Sequence, residues 1–451
     1  MATTPDRRTF LKGAAAASAS LALGPSILSG CATPRRYASG KLRHAGIGVG
    51  GMGEHDLKEI AGHPDVEIVA LCDVDRGKLD NAAAKHPDAR TYVDWRTMLA
   101  NEAEHLDSVH VSVPDHMHAP AMMSAMALGL HVYGQKPLTH NVLEARRLAE
   151  AAEAFRLVTQ MGIQNRSNFP FRKAHTLFED GIIGPIREAH VWTDRPAGWW
   201  PQGVGRPEGT DPVPATLNWD SWLGVAPWRD YKEGEYHAFR WRGRKDFGTG
   251  AQGDMACHLM DPVPWFLGLD RPKTVRSSGP KPNDESFPEW SVVSYGFDAG
   301  NAHCDGDGVA VTWYDGKRMP DDRLAEFKAG DDVYANACLF VADDAAFLVS
   351  PYDDCRLLTR DGEVELTLPE LEPINHWHQW VDGCLGRGET SAPFSYAGPL
   401  TEIALLGNVA LEFSEETLTW DGPAMRFPDR PQADKLLRET YRRGWEIPGL
   451  A

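Results

Sequence analysis

The 451-residue chain has no two cysteines at C-x-x-C spacing; its seven cysteines are scattered at 31, 72, 257, 304, 338, 355 and 384. A zinc ribbon or a thioredoxin-type site is therefore disfavoured, and no disulfide pairing can be read from the sequence. Positive charge is also short. There are 46 Lys and Arg against 64 Asp and Glu, a formal charge of −18, which repels phosphate backbones, so no nucleic-acid partner is expected. No internal repeats appear, and no low-complexity tract lies outside the N-terminus. No apolar run is strong enough for a stable membrane span, because the stretch that ends near Leu28 is rich in Ala and Ser. What remains is ordinary soluble-protein material: 42% hydrophobic and 24% charged residues, enough for two or three domains.

The first forty residues read as an address. Asp6-Arg7-Arg8-Thr9-Phe10-Leu11-Lys12 precedes the mild apolar stretch and resembles a twin-arginine (Tat) export signal. Leu28-Ser29-Gly30-Cys31 resembles a lipobox, in which Cys31 would carry lipid, and 32–40 read as a tether. The expected location is the periplasm or the envelope, with membrane contact only through a lipid on Cys31. The twin-arginine route carries folded proteins, so any cofactor used outside the cytoplasm has to be held tightly and regenerated in place.

Residues 42–49 predict a buried strand, and Gly48-Val49-Gly50-Gly51-Met52-Gly53 follows as G-x-G-x-x-G, with helical sequence through Ala61. Glycines in this strand–turn–helix setting permit a tight turn, close approach of a pyrophosphate and close helix–strand packing. Strand-like Val66–Leu71 then leads to Asp73, 20 residues beyond Gly53. A carboxylate there can accept from the adenosine ribose and repels a 2′-phosphate, favouring NAD over NADP, although Arg76 nearby argues for NADP. Strand-like runs at 108–113, 131–133 and 157–161 alternate with helix-like runs near 76–85, 118–128 and 142–154. The fold class expected is α/β: a doubly wound Rossmann domain over 41–160, then a C-terminal α/β domain over 161–451 with an open, mostly antiparallel sheet. Its strands are expected near 291–297, 308–314, 337–349 and 364–368, with an Asn375-capped helix and an amphipathic helix over 400–412. His376 and His378 are two apart and share no helical face, so no metal site is expected there.

Gly134-Gln135-Lys136-Pro137-Leu138 resembles the motif after the fifth strand in the glucose–fructose oxidoreductase, inositol dehydrogenase and MocA (Gfo/Idh/MocA) family, whose lysine reaches substrate and nicotinamide. This chain has Gln135 where that family carries Glu. The resemblance covers 42 to about 425. Through it, Pro114, Asp115 and His118 of Val113-Pro114-Asp115-His116-Met117-His118, with Gln135, Lys136, Gln164 and Asn165, become cofactor-binding candidates. His116 and His118 can equally well cap the next helix or pack. Gly250-Ala251-Gln252-Gly253-Asp254-Met255-Ala256-Cys257-His258 resembles the family's D-x-x-x-H motif. Asp254 and His258 are four apart and share a helical face, and Asp261 extends that face.

These residue types suit alcohol oxidation. His258 is expected as general base with a pKa near working pH, Asp254 to orient the imidazole or bind a hydroxyl, and Lys136 to stabilise alkoxide character. Seven of the fifteen tryptophans lie between Trp192 and Trp241. One or two are expected at the substrate, with Arg195 and Trp199 the choices. The leading expectation is an NAD-dependent oxidoreductase acting on a carbohydrate hydroxyl, homo-oligomeric by analogy with the family. The alternatives are a redo-neutral NAD-dependent glycoside hydrolase using the same groups, and a non-catalytic sugar-binding lipoprotein.

Overall fold

The computed structural model describes residues 40–331 and 333–450, so the twin arginines and Cys31 lie outside the described residues. The first sheet is built from β1 (Leu42–Ile47), β2 (Val66–Cys72), β3 (Arg90–Tyr92), β4 (Ser108–Val111), β5 (His131–Gly134) and β6 (Thr159–Met161), in the order β3-β2-β1-β4-β5-β6. Every neighbouring pair is parallel. Its central strands are buried on both faces, β4 along its whole length, which explains their near-continuous apolar sequence. Helices Met52–Ala61, Arg76–Lys85, His118–Ala127 and Val142–Ala154 connect the strands. The last starts on a capping box between Asn141 and Glu144. The order reverses between β1 and β4, so a crevice opens at their carboxyl ends.

The second sheet contains β7 (Glu188–Thr193), β8 (Thr274–Ser278), β9 (Val292–Phe297), β10 (Val309–Tyr314), β11 (Asn336–Val341), β12 (Ala345–Val349), β13 (Arg356–Thr359), β14 (Gly362–Val364) and β15 (Thr417–Thr419), in the order β14-β13-β12-β11-β7-β10-β9-β8-β15. Only the β7–β10 pair is parallel among them. One face packs into the main core with helices Phe169–Glu179, Gly250–Leu259 and Phe394–Leu411. Over β7 and β11–β13 the other face carries a second cluster in which Trp192, Leu339, Val341 and Leu348 meet Leu324 and Phe327.

Three expectations are corrected. The run 337–349 is a hairpin, β11 and β12 paired antiparallel. The run 364–368 overlaps β14 only at Val364 and otherwise lies past its end. The helix placed at 400–412 and read as amphipathic spans Phe394–Leu411 and is buried nearly all round, because it is wedged between Val142–Ala154 of the first domain and Gly250–Leu259 of the second. The cap at Asn375 is present: its side chain accepts from the amides of Trp377 (3.0 Å) and His378 (2.9 Å). The six cysteines among the described residues are all buried and none is in a disulfide.

The wedge helix carries Glu402, which is 1% exposed. Its carboxylate pairs with Arg146 (2.8 Å) of the first domain and Arg271 (3.1 Å) of the second, and accepts from the Trp420 indole (3.1 Å). Removing one partner of such a group strands buried charge. Glu402→Ala should lower unfolding stability by about 3 kcal/mol, read from the denaturant midpoint.

Candidate functional site

The crevice begins at the glycine turn after β1. Gly48 has φ 80°, and a Cβ there would lie 2.3 Å from the Ser112 carbonyl oxygen. A Cβ on Gly53 would lie 2.0 Å from the Gly48 oxygen, so this glycine lets the helix close onto the strand. The helix Met52–Ala61 has Gly51 at its N-cap and no side-chain cap, leaving first-turn amides to meet an anion. Gly48, Gly50, Gly51 and Met52 line the cleft; Gly53 packs behind them.

Asp73 does more than wait for a ribose. Its carboxylate accepts from the Val49 amide (2.9 Å) and the Asp75 amide (2.9 Å), bracing the glycine turn, and burial pushes its pKa up. Arg76 lines a separate small pocket. The cation at this end of the cleft is Lys78, whose stem passes over Gly50, where a Cβ would come within 2.0 Å of Cδ.

The cleft has a volume of about 630 Å³ and runs from the glycine turn to the helix Gly250–Leu259. At that end Lys136, Asp254 and His258 come together. The Lys136 ammonium lies 2.9 Å from Asp254 Oδ1 and donates to the Asp254 backbone carbonyl at 2.8 Å. Arg242 Nε donates to the same Oδ1 at 3.1 Å. Burial alone would raise the Asp254 pKa, but Lys136 and Arg242 overcome it and hold the carboxyl at about 2.

His258 lies on the same helical face as Asp254, as their spacing predicts. Two expectations about it are corrected. Its pKa is pushed down to about 3, by burial first and by Lys136 second, so the imidazole is neutral rather than poised at working pH. Asp254 does not orient the ring, because its hydrogen bonds go to Lys136 and Arg242. His258 Nδ1 is buried without a partner. Beside this group, Asp115 accepts from Thr249 Oγ1 at 2.8 Å. Burial and the Asp254 charge raise its pKa to about 7.

The remaining candidates divide. Pro114, Gln135, Gln164, Arg195 and Trp199 line the cleft. So does His118, but its ring nitrogens meet the Pro137 (2.7 Å) and Val113 (2.8 Å) carbonyls, tying two cofactor-side loops together. His116 does not line the cleft and bridges the Trp222 (3.1 Å) and Phe247 (3.3 Å) carbonyls. Asn165 is buried outside the cleft, and its Oδ1 accepts from Asn168 at 3.3 Å. Asp261 is corrected as a substrate ligand: it is 1% exposed, paired with Arg166 (2.7 Å) and bonded by the Tyr396 hydroxyl (2.6 Å). Four of the seven tryptophans, Trp199, Trp200, Trp222 and Trp241, reach the cleft, more than the one or two expected. Sequence reading missed Arg242 and Lys78.

The aromatic-rich insertion is fastened to the cofactor side. The Arg76 amide donates to Thr216 O (2.8 Å), the Asn218 amide to Val74 O (2.9 Å), and His237 Nε2 meets Asp75 Oδ2 at 3.0 Å. His237 and Ala238 line the cleft.

A doubly wound dinucleotide domain joined to an open-sheet domain, with a cleft between glycine turn and Lys–Asp–His cluster, defines a nicotinamide-dependent oxidoreductase architecture. Two family models match: an oxidoreductase NAD-binding Rossmann fold over residues 42–163 and the C-terminal α/β domain of the same family over 168–313. The chain belongs to the Gfo/Idh/MocA oxidoreductase family. A twin-arginine translocation signal matches residues 4–24. Among curated relatives, a glycosyl hydrolase family 109 protein of Saccharopolyspora erythraea is 33% identical over 33% of this chain and 37% of its own length. Inositol 2-dehydrogenase of Corynebacterium glutamicum is 26% identical over 33% of this chain and 44% of its own. The matches thus span well under two thirds of those relatives. Of solved structures, the WlbA dehydrogenase of Bordetella pertussis, in complex with NADH and UDP-GlcNAcA, superposes with TM-score 0.58 at 17% identity, covering 84% of this chain and 99% of that one. The aldose–aldose oxidoreductase of Caulobacter crescentus gives 0.57 at 15%, covering 84% and 100%.

The departure at position 135 has a local cause. Gln135 Nε2 donates to the buried Asp56 carboxylate at 2.9 Å, which also accepts from Ser112 Oγ (2.7 Å) and the Trp377 indole (2.9 Å). A glutamate there would set two carboxylates face to face. Gln135→Glu should therefore fold with a raised carboxyl pKa, so its stability is kept at low pH and lost as pH rises through that pKa. The expected penalty is about 2 kcal/mol greater at pH 8 than at pH 5, read from thermal midpoints against the unaltered protein.

Proposed function

We propose that this protein oxidises a hydroxyl of a carbohydrate, using an NAD that stays bound and is reoxidised in place by passing its hydride to a second, carbonyl-bearing substrate. The observation that carries the reading is the convergence of Lys136, Asp254 and His258 at one end of a cleft whose other end is the glycine turn. Close packing at Gly48 and Gly53 fits a bound pyrophosphate. Asp73 at the end of β2, with Arg76 turned to another pocket, favours NAD over NADP. Bound there, the nicotinamide supplies a hydride acceptor and donor.

The chain's own groups handle the proton and the charge. The neutral His258 takes the hydroxyl proton at a ring nitrogen. The Lys136 ammonium, held by Asp254, stabilises the developing alkoxide. Gln164 Oε1, buried without a partner like His258 Nδ1, accepts from a neighbouring hydroxyl. The insertion fastened across the end of β2 retains the nucleotide, which suits a chain with an export signal. We place the mature protein in the periplasm or, through lipid on Cys31, on the envelope, as a homo-oligomer.

A second reading is favoured by the glycosyl hydrolase family 109 relatives: the same transient oxidation, used to eliminate an aglycone and add water. The two readings separate on aryl glycosides. Phenol release without net NADH identifies the hydrolase, and a bound nicotinamide left reduced by a free sugar identifies the oxidoreductase. In either case His258→Ala should retain its nucleotide, by mass spectrometry of native protein, while single-turnover reduction of the nicotinamide falls by about 100-fold or more. Near-normal reduction in that variant would remove His258 from the reaction.

A further inference from the structure

Besides the Trp95 indole nitrogen, three buried polar atoms of residues lining the cleft have no hydrogen-bond partner: Gln164 Oε1, His258 Nδ1 and Arg195 Nε. The first two match the hydroxyls of a neutral sugar. The third belongs to a full cation, and leaving a charged donor unpaired in a buried position is costly.

Arg195 is held ready for a ligand. Its backbone is pinned on both sides, with the Arg195 amide donating to Thr193 Oγ1 (3.3 Å) and its carbonyl accepting from the Gly316 amide (2.6 Å). The guanidinium carbon lies over Trp199, 3.3 Å from the ring centroid, a cation–π contact that helps hold the side chain in place. The nearest carboxylate, Asp194, is 3.6 Å from Nε and is 37% exposed, too long for a hydrogen bond. Arg195 follows β7 in the second domain, and its charge is felt at His258. It therefore serves the substrate end of the cleft, whereas the cofactor's phosphates belong at the glycine turn.

The charge count at this end points the same way. Lys136 and Arg242 share one carboxylate, Asp254, and Arg195 adds a third cation. Positive charge is in surplus here although the whole chain stands at −18. A single planar fork with a modest surplus matches a monoanionic carboxylate better than a dianionic phosphate.

We propose that the substrate is a sugar acid whose carboxylate is bound by Arg195 while a ring hydroxyl meets His258 and Lys136. This rests on the carbohydrate reading above and narrows it.

The test uses the full-length protein with its native nucleotide. Glucose, galactose and mannose are compared with their uronic acids and with their 6-phosphates. Calorimetric binding and reduction of the bound nicotinamide are both followed. The uronate of at least one pair should bind about 10-fold or more tightly than its neutral partner, with affinity falling as salt rises. Arg195→Gln should abolish that advantage and Arg195→Lys keep part of it. Nucleotide content and thermal midpoint serve as folding controls. Equal binding of acid and neutral sugar, a preference for the phosphates, or an undiminished preference in Arg195→Gln would each overturn the proposal. If uronates bind through Arg195 but no sugar reduces the nicotinamide, the oxidoreductase reading fails and the carboxylate site stands. If no sugar of any series binds, both fall.

Discussion

The site depends on one ion pair. Lys136 leaves the first sheet at the end of β5, and Asp254 sits on the helix Gly250–Leu259 packed against the second. Their contact joins the two domains by charge inside the cleft. Because the pair is almost dry, its strength is set by geometry rather than by solvent. Arg242 adds a second cation to the same oxygen, so the carboxylate stays ionised where burial alone would protonate it. The neighbouring groups take their states from this arrangement. Burial first and Lys136 second keep His258 neutral, and burial together with the Asp254 charge raises the Asp115 carboxyl to about 7. Two carboxyls lie in one cleft with their proton affinities pushed apart, Asp254 at about 2 and Asp115 at about 7, the condition under which each can take a separate role.

The wedge helix Phe394–Leu411 makes that geometry rigid. Through Glu402 it grips Arg146 of the first domain and Arg271 of the second, so the distance from Lys136 to Asp254 does not rest on the pair alone. Catalytic geometry tolerates little slack, and a buried helix shared by both domains limits relative motion more firmly than a flexible linker could.

What could be read from sequence follows from how local each constraint is. The glycine turn was legible because Gly48 and Gly53 answer to backbone geometry within a few residues. Asp254 and His258 were legible as a pair because four residues make a helical turn, and their meeting with Lys136 came through the family resemblance. Asp261 was misplaced because the helix face was extended past Leu259, where this helix ends; Asp261 begins the next one and turns toward Arg166. Arg242 was invisible because it sits in a short irregular turn, Arg240–Gly243, with no periodicity to reveal where its side chain goes. The helix around 400–412 was read as amphipathic because Thr401, Glu402 and Asn408 look like a polar face. All three find partners inside the protein, which only tertiary packing can reveal. His258 was assigned its solution acidity because burial is not written in the residue type.

The cysteines carry a last consequence. Every cysteine among the described residues lies inside the protein, outside any disulfide. Burial raises the pKa of Cys257 to about 12 and that of Cys355 to about 11, and lifts Cys72, Cys338 and Cys384 further. Such sulfurs hold almost no thiolate and react slowly with oxidants. A chain with a twin-arginine signal can thus reach its finished shape under reducing conditions, cross a bilayer in that shape, and meet an oxidising milieu with no exposed thiol among the described residues to cross-link. Its architecture is indifferent to the redox potential on either side of the membrane.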